Sequence, residues 1–420
     1  MSGGLHGRTG APFVNNGSRG RRSRRAVRVA AVAVVFALGG CSLFEPSVRE
    51  PEADASGANA VPRPLAPLAT HAFEFDPKAT GVVGQLQVTT ARHEDTLPDL
   101  ARRFNLGYEE IVRANPAVDP WLPGEGRRIV LPTQFVLPDA PHEGVVVNLA
   151  ALRLFYFPRP GPDGRRVVYT YPIGIGKVGW ETPHGSTTIV SKRRDPWWTP
   201  PESVRREHAA KGDALPGRVP PGPDNPLGAY AMNLGWPSYL IHGTNKPAGV
   251  GLRASHGCIR MYPEDIAALF DRIPVGTRVA VVNQPLLYRW HGDSLYVQSY
   301  PLLEEQRKDA AGAAAGGHHP TLSARVSDRM WQRVKPHGGA IDWTLTREVV
   351  NDARGVAVPV SRRGVTYQGY LSSARLVDNA LPAGSNWDGE DGAGSATSLP
   401  PAEPPRSQAA GGVPRGSGSR

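Results

Sequence analysis

"YLIHGTNKPAGVGLRASHGCIRM", Tyr239 to Met261, holds one of the two cysteines of this 420-residue chain between a His-Gly pair and Ile-Arg. Tyr239-Leu-Ile is an apolar run that reads as a short strand, with His242 where that strand would reach the surface. "SHGCIRM", Ser255 to Met261, reads as a second extended segment. Residues i and i+2 of a strand point the same way, so His256 and Cys258 are expected to share a side. Two adjacent strands joined by the glycine-rich "GTNKPAGVGLRA" would bring His242 up to Cys258. Glycines 243, 249, 251 and 257 let backbone approach a ligand closely. A free thiol has a pKa of about 8.5, so catalysis needs a base or a positive field to generate thiolate. Two imidazoles offer the base, and the amides of Gly257 and Cys258 are candidates for an oxyanion hole. The same three side chains could be read as zinc ligands. No nearby Asp or Glu completes a tetrahedron, and no metal is expected.

The N-terminus says where such a thiol would work. Six arginines between Arg19 and Arg28 precede the apolar run Val29–Leu38, and Gly39-Gly40 leads into Cys41. That order of charged, apolar and small residues is a secretory signal peptide, too short in its apolar part for the roughly 20 residues of a spanning helix. Leu38-Gly-Gly-Cys41 resembles a bacterial lipobox, which implies lipidation of Cys41. Cys258 would then be the lone thiol of a protein exported to an oxidising compartment, more plausible as a reactive group than as a structural one. The net charge of +10 falls to +3 once residues 1–40, with seven arginines and no acid, are removed. The mature chain is only mildly basic, and no Lys/Arg block points to nucleic acid.

Composition divides the rest. Residues 41–85 are rich in Pro and Ala and read as a flexible tether. Residues 86–133 read as a small β-α-α-β module. Leu86-Gln-Val88 forms its first strand. Asp95 or Thr96 caps a helix with Leu97, Leu100, Ala101 and Phe104 at helical spacing, and a second short helix stops at Asn115-Pro116. Residues 143–283 alternate as strands: "GVVVNLAALRLFYF", "RRVVYTYPIGIG", "STTIVSKRR" and "TRVAVVN", with a helix begun by Pro263. Inside them Asp195–Pro226 is a long proline-rich stretch of the kind that forms lids or binding walls. Residues 284–380 read as an extension of unknown role, with strands in "SLYVQSY" and "GVTYQGYLSSARLV" and a helix in "TLSARVSDRMWQRVK". Residues 381–420 read as a disordered tail.

Two resemblances give these units an expected role. The 86–133 segment, with "DTL", "NP" and a final strand ending in Pro132, resembles a LysM module. That implies binding to the N-acetylhexosamine backbone of peptidoglycan or chitin. "HGT" followed by "SHGCIRM", with "YPIGIGKVGWETPHG" and "GPDNPLGAYAMNLGW", resembles the catalytic signature of the L,D-transpeptidases, in the branch whose periplasmic members carry LysM. The expected fold is therefore mainly β: an L,D-transpeptidase β-sandwich preceded by the small βααβ module. The resemblance implies that Cys258 is the nucleophile and His242 the general base, its ring fixed by the Gly243 carbonyl. His256, Ser255 and Gly257 would be supporting. Arg260 stands where many members carry Asn, as in the lipoprotein-attaching branch, and is a candidate contact for a substrate carboxylate. The implied reaction is acyl transfer through a thioester on peptidoglycan tetrapeptide stems, without a cofactor. It would form 3→3 crosslinks or attach an outer-membrane lipoprotein. The implied location is the periplasmic side of the envelope, outer membrane above all, through the lipid anchor. A hydrolase on the same thioester, an L,D-carboxypeptidase or endopeptidase, and a non-catalytic wall anchor are the competing readings.

Overall fold

The run "GVVVN" already shows how the sheet is used, because three consecutive β-branched residues have no polar face to offer solvent. In the computed structural model, which describes residues 71–310 and 318–379, Gly144–Asn148 is a central strand buried on both sides. Val145 and Val147 enter one core with Leu154, Tyr156, Ile241, Ile259 and Leu269. Val146, Phe155 and Phe157 enter another, shared with Leu97, Leu100, Ile111, Ile129 and Leu131 of the small module. The signal segment, Cys41, residues 41–70 of the tether and the 381–420 tail lie outside the described residues.

Among the described residues the main sheet has nine strands, in the order Ala72–Glu74, Val167–Pro172, Arg153–Phe157, Gly144–Asn148, Arg278–Val282, Gly185–Arg194, Tyr230–Leu234, Leu240–His242, Ile259–Arg260. Neighbours run antiparallel except at two places. Gly144–Asn148 lies parallel to Arg278–Val282, and Leu240–His242 parallel to Ile259–Arg260. The second exception brings the two halves of the Tyr239–Met261 stretch side by side. The helix Pro263–Phe270 follows at once, begun by its proline, and buries Ile266, Leu269 and Phe270 against the sheet.

The β-α-α-β order of the module is present as Gln87–Thr90, Leu97–Arg103, Tyr108–Ala114 and Arg128–Leu131, its two strands antiparallel. Thr96 is the helix cap and forms a capping box with Asp99. Asp95, the other candidate, pairs with Arg103 at 2.8 Å instead. Asn115 ties the end of the second helix to the last strand, donating to Ile111 and Val130 carbonyls and accepting from the Val130 amide.

Four expectations need correction. The last part of the expected tether is strand, because Phe73 and Phe75 have a core to join: Ala72–Glu74 extends the main sheet and Val82–Gly84 pairs with Gln134–Val136. The module is not a separate bead. Beyond the shared core, Arg153 is fully buried and grips Glu110 through Nε at 2.7 Å and Nη2 at 3.0 Å. The segment "GVTYQGYLSSARLV" contains the helix Tyr367–Ser372, started by the Thr366 side chain, and leaves only Arg375–Leu376 as strand. The irregular 195–226 stretch contains a helix, Glu202–Ala210, held to the body by buried Val204. The extension otherwise forms the hairpin Leu286–His291/Ser294–Ser299, joined by Val358–Pro359, with helices Ala324–Val334 and Trp343–Asp352. It returns to the module, where Arg375–Leu376 lies parallel to Gln87–Val88.

Candidate active site

Parallel pairing sets Ile241 level with Ile259, and His242 level with Arg260. Both isoleucines are fully buried in the core. Strand alternation therefore turns His242, Cys258 and Arg260 to the opposite face, off the core. Two strand ends thus present an imidazole, a thiol and a guanidinium together.

The segment before Cys258 is a turn rather than the expected strand. Gly257 has φ of +100°, and a Cβ there would stand 2.8 Å from Cε1 of Tyr239, so both conformation and space call for glycine. The Ser255 hydroxyl closes the turn, accepting from the Gly257 amide at 3.2 Å and donating to the Cys258 carbonyl at 2.6 Å. Thr182 donates to the Gly257 carbonyl at 2.9 Å. His256 therefore does not share a strand face with Cys258. With the Gly257 amide engaged by Ser255, the Cys258 amide is the remaining candidate to meet an oxyanion.

His242 is buried, and its Nδ1 lies 2.6 Å from the Gly243 carbonyl. A carbonyl only accepts, so Nδ1 carries the proton and Nε2 keeps its lone pair. Burial, helped by the charge of Arg260, pulls the imidazole pKa down to about 3. The ring is a neutral base at physiological pH. Burial also pushes the Cys258 thiol up, an effect that the nearby Leu240 amide and Arg260 oppose. Its hydrogen bond runs to the Ser238 carbonyl at 3.6 Å, not to an imidazole. Ser238 holds a positive φ of 70°, uncommon for a residue with a side chain. Both shifts favour a neutral thiol and a neutral imidazole over an ion pair.

Arg260 is half-buried, its Nε has no partner, and burial lowers its pKa. A guanidinium with an unused donor near a thiol is suited to a carboxylate. His256 reaches away from the thiol: its Nε2 lies 3.0 Å from Glu207, and its ring stands edge-on to Trp180 at 4.8 Å. Sequence reasoning missed Glu207, Ser238 and Trp180. The 195–226 stretch reads as a lid or wall, but nothing in its pattern singles out one acid. Cys41 lies outside the described residues.

The chain is also similar to known proteins. A family model described as the L,D-transpeptidase catalytic domain (YkuD) matches residues 142–281. The probable L,D-transpeptidase ErfK/SrfK of Escherichia coli (strain K12) is 43% identical over 241 residues, 56% of this chain and 76% of the relative. The probable L,D-transpeptidase YbiS of the same strain is 45% identical over 208 residues, 49% of this chain and 66% of the relative. The probable L,D-transpeptidase YcfS is 40% identical over 225 residues, 52% of this chain and 69% of the relative.

Proposed function

The chain belongs to the L,D-transpeptidase family, and on that premise we propose that Cys258 and His242 carry acyl transfer on peptidoglycan tetrapeptide stems. The observation that carries the residue assignment is one shared face: a partly exposed thiol and a buried neutral imidazole project from neighbouring parallel strands. Cys258 Sγ attacks the carbonyl of the third stem residue while its proton passes to Nε2 of His242. The tetrahedral oxyanion is met by the Cys258 amide. The C–N bond to D-alanine then breaks, and the leaving nitrogen takes the proton from His242. An acceptor amine attacks the thioester, gives a proton to His242, and releases the thiol, which recovers that proton. A buried imidazolium is costly, so His242 holds the thiol proton only until the leaving nitrogen takes it. Arg260 is the proposed contact for a stem carboxylate. The acceptor is a second stem, giving a 3→3 crosslink, or the amine of an outer-membrane lipoprotein. The module at 86–133 would hold the glycan, and lipid on Cys41 would keep the enzyme at a periplasm-facing membrane.

Incubation with purified peptidoglycan, read by mass spectrometry, tests the reading. Wild type should give 3→3-linked dimers and Cys258→Ala none. His242→Ala should slow acylation by about 10² to 10⁴, the usual size of a lost general base. Shortened stems without dimers would make the protein a hydrolase. Dimers formed by Cys258→Ala would overturn the nucleophile.

A further inference from the structure

At His256, two residues before Cys258, charge converges on a single carboxylate. Glu207 sits on the helix Glu202–Ala210 within the long 195–226 stretch. Its Oε1 accepts from Lys177 at 2.5 Å and Lys211 at 2.7 Å, and its Oε2 faces His256 Nε2 at 3.0 Å. These contacts hold its carboxyl down at about 2, so it is ionised at any physiological pH. The helix has few other holds. Val204 is its one buried residue, and the neck of the loop is pinned by Asn225, which donates to the Pro196 and Pro220 carbonyls.

We propose that Glu207 is a positioning residue of this site, holding His256 in one tautomer and latching the helix Glu202–Ala210 beside the nucleophile. The proposal rests on the acyl-transfer reading for its consequence, not for its geometry. A carboxylate only accepts, so His256 carries its proton on Nε2 and keeps Nδ1 as an acceptor. Burial and the Lys177 charge keep that ring neutral against the pull of Glu207. Trp180 fixes its plane from the side. His256 is two residues from Cys258, on the turn that Ser255 closes, so a freed ring would loosen the backbone that aims the thiol. Loss of the carboxylate would also leave Lys177 and Lys211 without their common counter-charge and release the helix. Glu207 touches neither the thiol nor His242 and acts through His256.

Glu207→Ala is the test, because alanine suits a helix interior, and circular dichroism verifies folding. Three readouts are taken on the full chain: acylation by a disaccharide-tetrapeptide, the ring ¹⁵N shifts of His256, and alkylation of Cys258 by iodoacetamide. The expected result is a roughly tenfold or larger fall in acylation, mostly in kcat, with the Nε2–H signature replaced by mixed tautomers and alkylation faster than in wild type. Glu207→Gln keeps an acceptor without charge and should fall between the two. Wild-type acylation with unchanged His256 nitrogens would overturn the proposal. So would faster acylation, which would make Glu207 an obstruction. Were wild type itself inert to the tetrapeptide, the acyl-transfer reading would fail, while the nitrogen shifts and alkylation would still decide the role of Glu207.

Discussion

Burial does the same thing to two histidines that have different jobs. His242 lies beneath the active face, and His71 is wedged against Phe135 at 5.4 Å and Phe73 at 6.0 Å with its Nδ1 unpaired. Both are pulled to about 3, in each case first by burial. In the unfolded chain each takes its proton near the ordinary value of 6.5, while in the fold it stays neutral down to about pH 3. The unfolded state therefore binds more protons across that window. The stability due to these rings is complete above pH 6.5 and is lost as pH falls towards 3. His71→Phe keeps the aromatic packing and removes one of the two, so its acid-induced loss of stability should be shallower than that of wild type. Urea midpoints at pH 7 and pH 4.5 measure this, and parallel lines for the two proteins would sink it. At this scale the sequence was most readable where chemistry is local. His242, Ser255, Gly257 and Cys258 stand out because few other roles explain them within one short stretch. Glu207 did not, because its partner His256 is 49 residues away and its own segment has no period.

The helix Pro263–Phe270 shows the same balance at the scale of an element. It follows the Ile259–Arg260 strand directly and presents two buried acids, Glu264 and Asp265, to the module. Glu264 takes a bidentate pair from Arg102, at 2.9 and 3.1 Å. Asp265 accepts only from Asn105 Nδ2, at 2.5 Å, while its Oδ2 and the Asn105 Oδ1 both lack partners. Burial first, and the charge of Glu264 second, raise Asp265 well above the usual carboxylate range. A neutral Asp265 would put a donor next to an orphaned acceptor, which accounts for both unpaired atoms. The two neighbours should therefore respond differently. Asp265→Asn swaps one neutral group for another and should change stability by less than about 1 kcal/mol. Glu264→Gln takes the charge out of a buried carboxylate that holds Arg102 through two oxygens and should cost more, about 1–3 kcal/mol. Chemical denaturation of both variants at pH 7 checks the order, and equal costs would mean that Asp265 is ionised. None of this was visible beforehand, since an amphipathic pattern marks which face is buried but not against what. The docking itself did leave a signal. "GVVVN" and "LFYF" are apolar at successive positions, and a strand of that kind needs a layer on each side.

For the whole molecule, the shared core means that the module, the catalytic sheet and the C-terminal extension should unfold together. Arg375–Leu376 adds a strand to the module, the Val377 amide bonds to the Val88 carbonyl at 2.8 Å, and Thr89 donates to the Val377 carbonyl at 3.0 Å. The return ends on Asn379, which is buried. Its Nδ2 donates to the Thr90 carbonyl at 3.0 Å and to Asp95 at 2.6 Å, and its Oδ1 accepts from Arg103. One amide near the end of the described chain thus completes the pairing of a buried Asp–Arg couple that ties the first helix of the module to the residue before its cap. Asn379→Ala leaves those groups short of partners and should cost about 1–3 kcal/mol. Because Leu97, Leu100 and Ile111 pack in one cluster with Val146 and Phe155, that loss should not stay in the module. Thermal unfolding followed by tryptophan fluorescence and by calorimetry should remain one coincident transition, shifted down as a whole. Two transitions, with the catalytic sheet melting at the wild-type temperature, would show instead that the module folds alone.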